Sequence, residues 1–255
     1  MTADLETRTV YGRPDLLIDR STHYCPGCGH GVVHRLLAEV LDELALGPRT
    51  IAVAPVGCAV FAYDYLALDF VEAPHGRAPA VATGIRRVRP DAFVLTYQGD
   101  GDLAAIGTAE IIHAAARGER ITAVFVNNGI YGMTGGQMAP TTLLGQRTSS
   151  TPGGRERGLT GFPLRITEML AMLPGVSFAA RGSVVDAAAI GKTRGYLKRA
   201  CQAQLEGGGF AIVEILSNCP VGWGMTPVDS MDWLRDRVIP EYPVGVLADH
   251  HEIRR

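Results

Sequence analysis

Two short segments place oxygen ligands at the ends of apolar runs. Gln98-Gly99-Asp100-Gly101-Asp102 follows Phe93-Val94-Leu95-Thr96, and Asn127-Asn128-Gly129-Ile130-Tyr131-Gly132 follows Ile121-Thr122-Ala123-Val124-Phe125-Val126. Such β-branched runs read as buried parallel strands, so both segments become strand-end loops facing the same edge of one sheet. There Asp100 offers a carboxylate and Asn128 an amide oxygen, hard ligands of the kind Mg²⁺ takes while it also holds a ligand's phosphates. Leu103 to Arg117 reads as a helix beginning at Gly101-Asp102, where free backbone N–H groups and the helix dipole suit a diphosphate. Gly-Asp and Asn-Gly taken singly are ordinary turn signals. Their order, each after a strand, favours a cradle for a diphosphate and its metal.

The cysteines add a second chemistry. Cys25-Pro26-Gly27-Cys28-Gly29-His30 contains a C-x-x-C pair, which alone fits a redox pair or half a metal site. Cys58 ends the loop after the Thr50–Ala54 run and Cys219 ends the loop after Phe210–Leu216. Ligands of an open parallel sheet gather outside the carboxyl ends of its strands, so four thiolates can converge near the diphosphate. Four thiolates suit either Zn²⁺ or a 4Fe-4S cluster, and ligand type does not separate them. Structural zinc usually joins two short knuckles, whereas here one pair meets two isolated cysteines, so zinc stands second. Cys201 lies in a helical pattern and reads as a small helix residue outside the ligand set.

The elements that must position these residues follow from periodicity. Val33, Leu36, Leu37, Val40, Leu41 and Leu44 repeat at helical spacing over His30–Leu46, up to Gly47-Pro48. Strands near 51–54, 93–97, 121–127, 176–180 and 210–216 alternate with helices near 79–89, 103–117, 163–173 and 184–206. This βα series predicts an α/β fold, a doubly wound parallel sheet with helices on both faces, in one domain over 1–255. The C-x-x-C segment precedes its first strand and an extension follows its last. His75-Gly76-Arg77 falls at the start of a helix, where Arg77 is suited to a carboxylate or diphosphate and His75 to giving a proton. His34 and His113 lie on helices and read as packing or surface residues, while Tyr131 and Met133 read as apolar walls. Thr134 to Phe162 has little periodicity and reads as a loop over the site or against a partner, with 145–158 equally readable as mobile.

Composition bounds the rest. With 24 Lys+Arg against 26 Asp+Glu, the net charge is −2, which leaves no basic footprint for nucleic acid or anionic membrane. The 47% hydrophobic content of 255 residues supports a large core. The 31 glycines concentrate in the loops described, where backbone must approach a ligand or take positive φ. Met1 to Tyr11 lacks a signal-peptide apolar region, and no run approaches the ~18 apolar residues of a membrane span. With four of five cysteines read as metal ligands there is no disulfide framework, and a reducing cytoplasm is expected.

Gly99-Asp100-Gly101 followed by Asn127-Asn128 resembles the cofactor motif of thiamine diphosphate enzymes. The resemblance implies that Asp100, the Asn128 side chain and the Ile130 carbonyl bind Mg²⁺, with Gly99, Gly101, Asp102 and Tyr131 beside the cofactor. YCPGCGHG at Tyr24–Gly31, VGCA at Val56–Ala59 and NCP at Asn218–Pro220 resemble the β subunit of 2-oxoacid:ferredoxin oxidoreductases, a likeness running from about Tyr24 to Pro243. It includes the segments Ala73–Ile85, Ile130–Thr142 and Cys219–Ser230.

This second resemblance implies a thiamine diphosphate-binding fold and a 4Fe-4S cluster on Cys25, Cys28, Cys58 and Cys219, with Cys58 and His30 close to the thiamine. His30, His75 and Arg77 are the catalytic candidates. The implied reaction is oxidative decarboxylation of a 2-oxo acid to acyl-CoA and CO₂, with electrons passing through the cluster to ferredoxin. Nothing in the chain resembles the domain that supplies the activating glutamate. An α subunit is therefore the implied partner, with γ and ferredoxin-like δ subunits beside it. Gly135, Gly136 and Gln137 follow Thr134, without the lysine that some members carry there. Lacking that cation, the pocket compensates poorly for a second buried carboxylate, which favours a branched-chain substrate such as 2-oxoisovalerate over 2-oxoglutarate. Two rival readings are a cluster-free thiamine decarboxylase or synthase and a noncatalytic zinc-stabilised interaction protein.

Overall fold

The computed structural model describes residues 11–250. Its main sheet has seven strands in the order β2-β1-β3-β4-β8-β7-β9. These are β1 (Thr50–Ala54), β2 (Asp69–Glu72), β3 (Phe93–Gly99), β4 (Thr122–Asn127), β7 (Val176–Ser183), β8 (Phe210–Leu216) and β9 (Gly245–Asp249), while β5 (Ile130–Tyr131) and β6 (Gln137–Met138) form a separate hairpin. The helices are α1 (His30–Glu43), α2 (Ala78–Val88), α3 (Thr108–Ala116), α4 (Arg157–Thr160), α5 (Ile166–Ala171), α6 (Ala187–Leu205), α7 (Pro220–Trp223) and α8 (Pro227–Trp233).

Alternate strand residues feed two apolar layers. Leu95, Val124, Val126, Val213 and Ile215 pack with α1 and α6 on one face. Val94, Ala123, Phe125, Ile212 and Ala179 pack with α2, α3 and α5 on the other. The central strands are buried on both faces, which is why they read as continuous apolar runs. Along the chain β1 leads outward to β2 and β3 leads the other way to β4, so the strand order reverses between β1 and β3. A crevice opens at such a point, beyond the carboxyl ends of the strands.

The sheet departs from the all-parallel expectation at its edges. β9 runs antiparallel to β7, and β2 adds a short parallel edge outside β1. β2 is four residues, Asp69-Phe70-Val71-Glu72, mostly exposed and bounded by acids, so it lacks the buried apolar run that marks the inner strands. α1 ends at Glu43, before Gly47, and Ala45 takes the left-handed conformation with φ 51°. The single helix expected over 103–117 is two pieces, a π-helical turn at Gly101–Ile106 and then α3, separated by Gly107. A Cβ at Gly107 would stand 2.3 Å from the Asp102 carbonyl oxygen and 2.8 Å from that of Gly76. The break therefore admits the His75-Gly76 turn against bare backbone.

Residues 134–162 fold around one side chain. The Arg155 guanidinium donates to the carbonyls of Pro140 (2.9 Å), Thr142 (2.5 Å), Thr160 (3.1 Å) and Phe162 (2.8 Å), binding the segment to itself. Among the described residues no helix is long and apolar enough to cross a membrane.

Candidate functional site

The loops after β1 and β3 and the hairpin after β4 enclose a cavity of about 360 Å³ at the sheet's carboxyl edge. Asp100 and Asn128 meet at its floor. Asp100 Oδ1 accepts the Gly101 N–H (2.9 Å), and Oδ2 accepts the Ile130 N–H (3.0 Å) and the Thr141 hydroxyl (3.2 Å). The Asn128 Oδ1 accepts that same Ile130 N–H at 3.2 Å. Two hard oxygens thus converge on one amide. Burial pushes the Asp100 carboxyl up to about 7 despite these donors, so the pair is suited to a nearby cation that restores its charge.

Gly101 is required where it stands, since a Cβ there would lie 2.9 Å from the Tyr131 ring. Asp102 is buried, and its oxygens accept from His75 Nδ1 (2.7 Å), Gly76 N–H (2.9 Å), Gln98 Nε2 (2.6 Å) and Val56 N–H (3.3 Å). Its carboxylate ties three loops together, and its backbone lines the cavity. A carboxylate only accepts, so this bond takes a hydrogen from His75 Nδ1 and leaves Nε2 to face away from Asp102. His75 is partly exposed at the cavity wall.

Arg77 meets a carboxylate, one belonging to this chain. Its guanidinium pairs with Glu110 of α3 at 2.8 Å and leans on the Ile106 carbonyl, and the residue does not line the cavity. Gly107 explains this, because the break after the π-helical turn puts α3 within reach of the side chain. His30 does reach the cavity. It is the first residue of α1, stacks on Tyr24 with centroids 4.7 Å apart, and bonds Tyr97 Oη through Nδ1 at 2.9 Å. Burial, reinforced by His23, lowers its pKa to about 4 and keeps the ring neutral.

The thiols lie beside this floor. A Cβ at Gly132 would stand 3.4 Å from both Cys58 Sγ and Cys219 Sγ, so the two sulfurs flank one glycine of the β5–β6 hairpin. The Cys25–Cys28 turn is tied to the Cys219 segment by the Asn218 Nδ2 bond to the Gly27 carbonyl (2.9 Å). Burial, then the charges of Cys28, Cys25 and Asp100, pushes the Cys58 thiol up to about 11; burial, then Cys28, Cys58 and Cys25, pushes Cys219 to about 12. Among the described residues no three His, Cys, Asp or Glu groups converge closely enough for a single ion. Cys201 is buried on α6, outside this group.

Several contributors carry no motif. His23 bonds the Cys58 carbonyl through Nε2 (3.0 Å), and Trp223 Nε1 donates to the Asn128 carbonyl (3.0 Å). Thr142 donates to the Gly129 carbonyl (2.6 Å). Each acts on backbone, so only its proximity in the fold identifies it.

Residues 55–215 match the family "Thiamine pyrophosphate enzyme, C-terminal TPP binding domain". The chain is 46% identical over 253 residues to the ketoisovalerate oxidoreductase subunit VorA of Methanothermobacter thermautotrophicus, covering 95% of this chain and 53% of that one. It is 35% identical to the 2-oxoglutarate synthase subunit KorB of Methanocaldococcus jannaschii, covering 87% of this chain and 80% of the relative. In solved structures it resembles the 2-oxoglutarate:ferredoxin oxidoreductase from Magnetococcus marinus, which has 2-oxoglutarate, coenzyme A and succinyl-CoA bound. That likeness has a TM-score of 0.76 at 27% identity, over 96% of this chain and 87% of the other. The chain thus spans about half the length of the VorA relative and most of the other two.

Proposed function

Because this chain belongs to the 2-oxoacid:ferredoxin oxidoreductase β-subunit family, built on the C-terminal thiamine pyrophosphate-binding domain, we propose that it holds thiamine diphosphate, Mg²⁺ and a 4Fe-4S cluster for oxidative decarboxylation of a 2-oxo acid. The reading treats 1–255 as one cofactor-binding unit. The observation that carries it is the Ile130 N–H shared by Asp100 and Asn128, beside a hairpin glycine flanked by Cys58 and Cys219. In it Asp100, Asn128 and the Ile130 carbonyl hold Mg²⁺. Backbone N–H groups at the start of the π-helical turn meet the diphosphate.

Bound there, thiamine diphosphate would supply carbanion and electron-sink chemistry for decarboxylation, and a 4Fe-4S cluster would supply one-electron transfer. The chain's own residues bind, orient and exclude water. Asp100 fixes the metal, and Tyr131, Met133 and Ile106 line the cavity with apolar surface. His75, oriented by Asp102, is placed to hold or release a proton at Nε2. His30, neutral and anchored on Tyr97, lines the cavity. Cys25, Cys28, Cys58 and Cys219 are the cluster ligands. A partner α subunit supplies the activating glutamate, with γ and δ subunits, ferredoxin and coenzyme A completing the reaction.

No lysine or arginine lines the cavity among the described residues, and Val56, Ala59, Ala105, Ile106 and Met133 do. This composition supports an uncharged branched-chain 2-oxo acid, as does the likeness to the ketoisovalerate subunit. Anaerobic purification with the partner subunits tests the whole reading. Asp100→Ala is expected to lose thiamine diphosphate while retaining iron and fold. Wild-type cofactor content in that variant removes the metal assignment, and zinc in place of iron and sulfide removes the cluster.

A further inference from the structure

Glu214 is a carboxylate buried in the centre of the sheet, in a strand whose other residues are all apolar. Arg181 of β7 stands directly opposite it in register and donates Nε to Glu214 Oε2 at 2.8 Å. The same guanidinium donates Nη1 to Glu168 Oε1 (2.8 Å) and to the Pro243 carbonyl (3.2 Å). On the other side Asn127, the last residue of β4, donates Nδ2 to Glu214 Oε1 at 2.7 Å. The Asn127 Oδ1 then accepts the Gly129 N–H at 3.1 Å, closing a turn in which Gly129 has φ 67°. That turn sets Asn128 Oδ1 and the Ile130 N–H against Asp100.

We infer that Glu214 is a positioning residue for the metal site, acting through the orientation of the Asn127 amide. Stability alone does not account for it, because a buried ion pair is commonly no more stabilising than well-packed apolar residues of the same volume. Orientation does. A carboxamide can turn either end toward the sheet, but a carboxylate accepts only, so the NH₂ must face Glu214 and the oxygen is left for Gly129. Arg181, gripped by Glu168, holds Glu214 from the far side. The chain of contacts fixes a metal-binding turn from a rigid strand instead of from the loop itself, as supporting hydrogen bonds around metal sites do. The inference rests on Asp100 and Asn128 being the metal ligands.

The test uses the assembled complex with saturating thiamine diphosphate, and reads metal affinity directly from free Mn²⁺ by electron paramagnetic resonance. Glu214→Gln and Asn127→Ala are expected to weaken metal binding about 10- to 100-fold, with iron content unchanged. For Glu214→Gln, kcat at saturating metal should stay near wild type while the half-saturating metal concentration rises. Asp100→Asn is measured in parallel. If it leaves metal affinity intact, the ligand assignment fails and the inference with it. If it abolishes binding while Glu214→Gln and Asn127→Ala bind as wild type does, the positioning role alone is overturned, whatever the variants lose in thermal stability. Should Glu214→Gln not fold, Asn127→Ala decides, since it removes the amide and leaves the Arg181–Glu214 pair in place.

Discussion

A thiolate at Cys58 or Cys219 is unfavourable on its own, since burial pushes these thiols up to about 11 and 12. Iron bound there would supply the positive charge that reverses this. Cys219→Ser is therefore expected to lose iron and ferredoxin reduction, whereas Cys201→Ser, more deeply buried and on α6, keeps both; equal effects on iron content would refute the ligand set. His34 provides a separate residue-scale test. It lies under the C-x-x-C turn, bonded to Tyr24 Oη at 2.8 Å, and burial, then His30 and His23, lowers its pKa from 6.5 to about 3. With the folded value depressed, the unfolded chain binds the proton more readily below pH 6.5, so stability is present above that pH and lost toward pH 3. At pH 5 the loss is about 2 kcal/mol. Urea unfolding of His34→Gln should show a fall in stability between pH 7.5 and 5 that is smaller by that amount, and parallel curves for variant and wild type would contradict it.

At the scale of elements, the 134–162 segment braces the site from behind. Thr141 donates to Asp100 and Thr142 to the Gly129 carbonyl, while Tyr242 Oη donates to the Thr141 carbonyl at 2.8 Å. Arg155 holds this brace closed with hydrogen bonds to carbonyls alone, and desolvation lowers its pKa. Arg155→Met leaves buried carbonyls unpaired, which costs about 2–3 kcal/mol net of the relieved desolvation. Limited proteolysis should then cut within 143–162, and thiamine diphosphate should bind more weakly. An unchanged cleavage pattern would mean that the segment is held by other contacts.

At the scale of the whole molecule, apolar side chains stay exposed at the cavity, among them Val56, Ile106 and Met133. A partner covering this rim would complete the pocket. Such a pocket, with apolar walls and no lysine or arginine from this chain, leaves a second substrate carboxylate without a counter-charge. In the assembled complex kcat/KM for 2-oxoisovalerate should exceed that for 2-oxoglutarate by at least ~10-fold, since an unpaired buried carboxylate costs more than ~1.4 kcal/mol. A preference for 2-oxoglutarate would instead show that the partner contributes the cation.

The sequence by itself determined the inner strands and the loops that follow them, and it placed Asp100, Asn128, Cys58 and Cys219 in those loops. Buried parallel strands are written as apolar runs, and hard oxygens or thiolates at their ends have few structural uses. The edge strands β2 and β9 escaped notice because an exposed or antiparallel edge lacks that run. Only the tertiary structure decided the direction of each polar side chain. Arg77 turned to Glu110 because Gly107 breaks the helix, and Asp102 bound His75 because the Gly76 backbone fits against that break. Glu214, Asn127, Trp223 and Thr141 act through hydrogen bonds between residues far apart in the chain. Local spacing carries no record of such pairs, because the distance that makes each bond is set by strand register and packing.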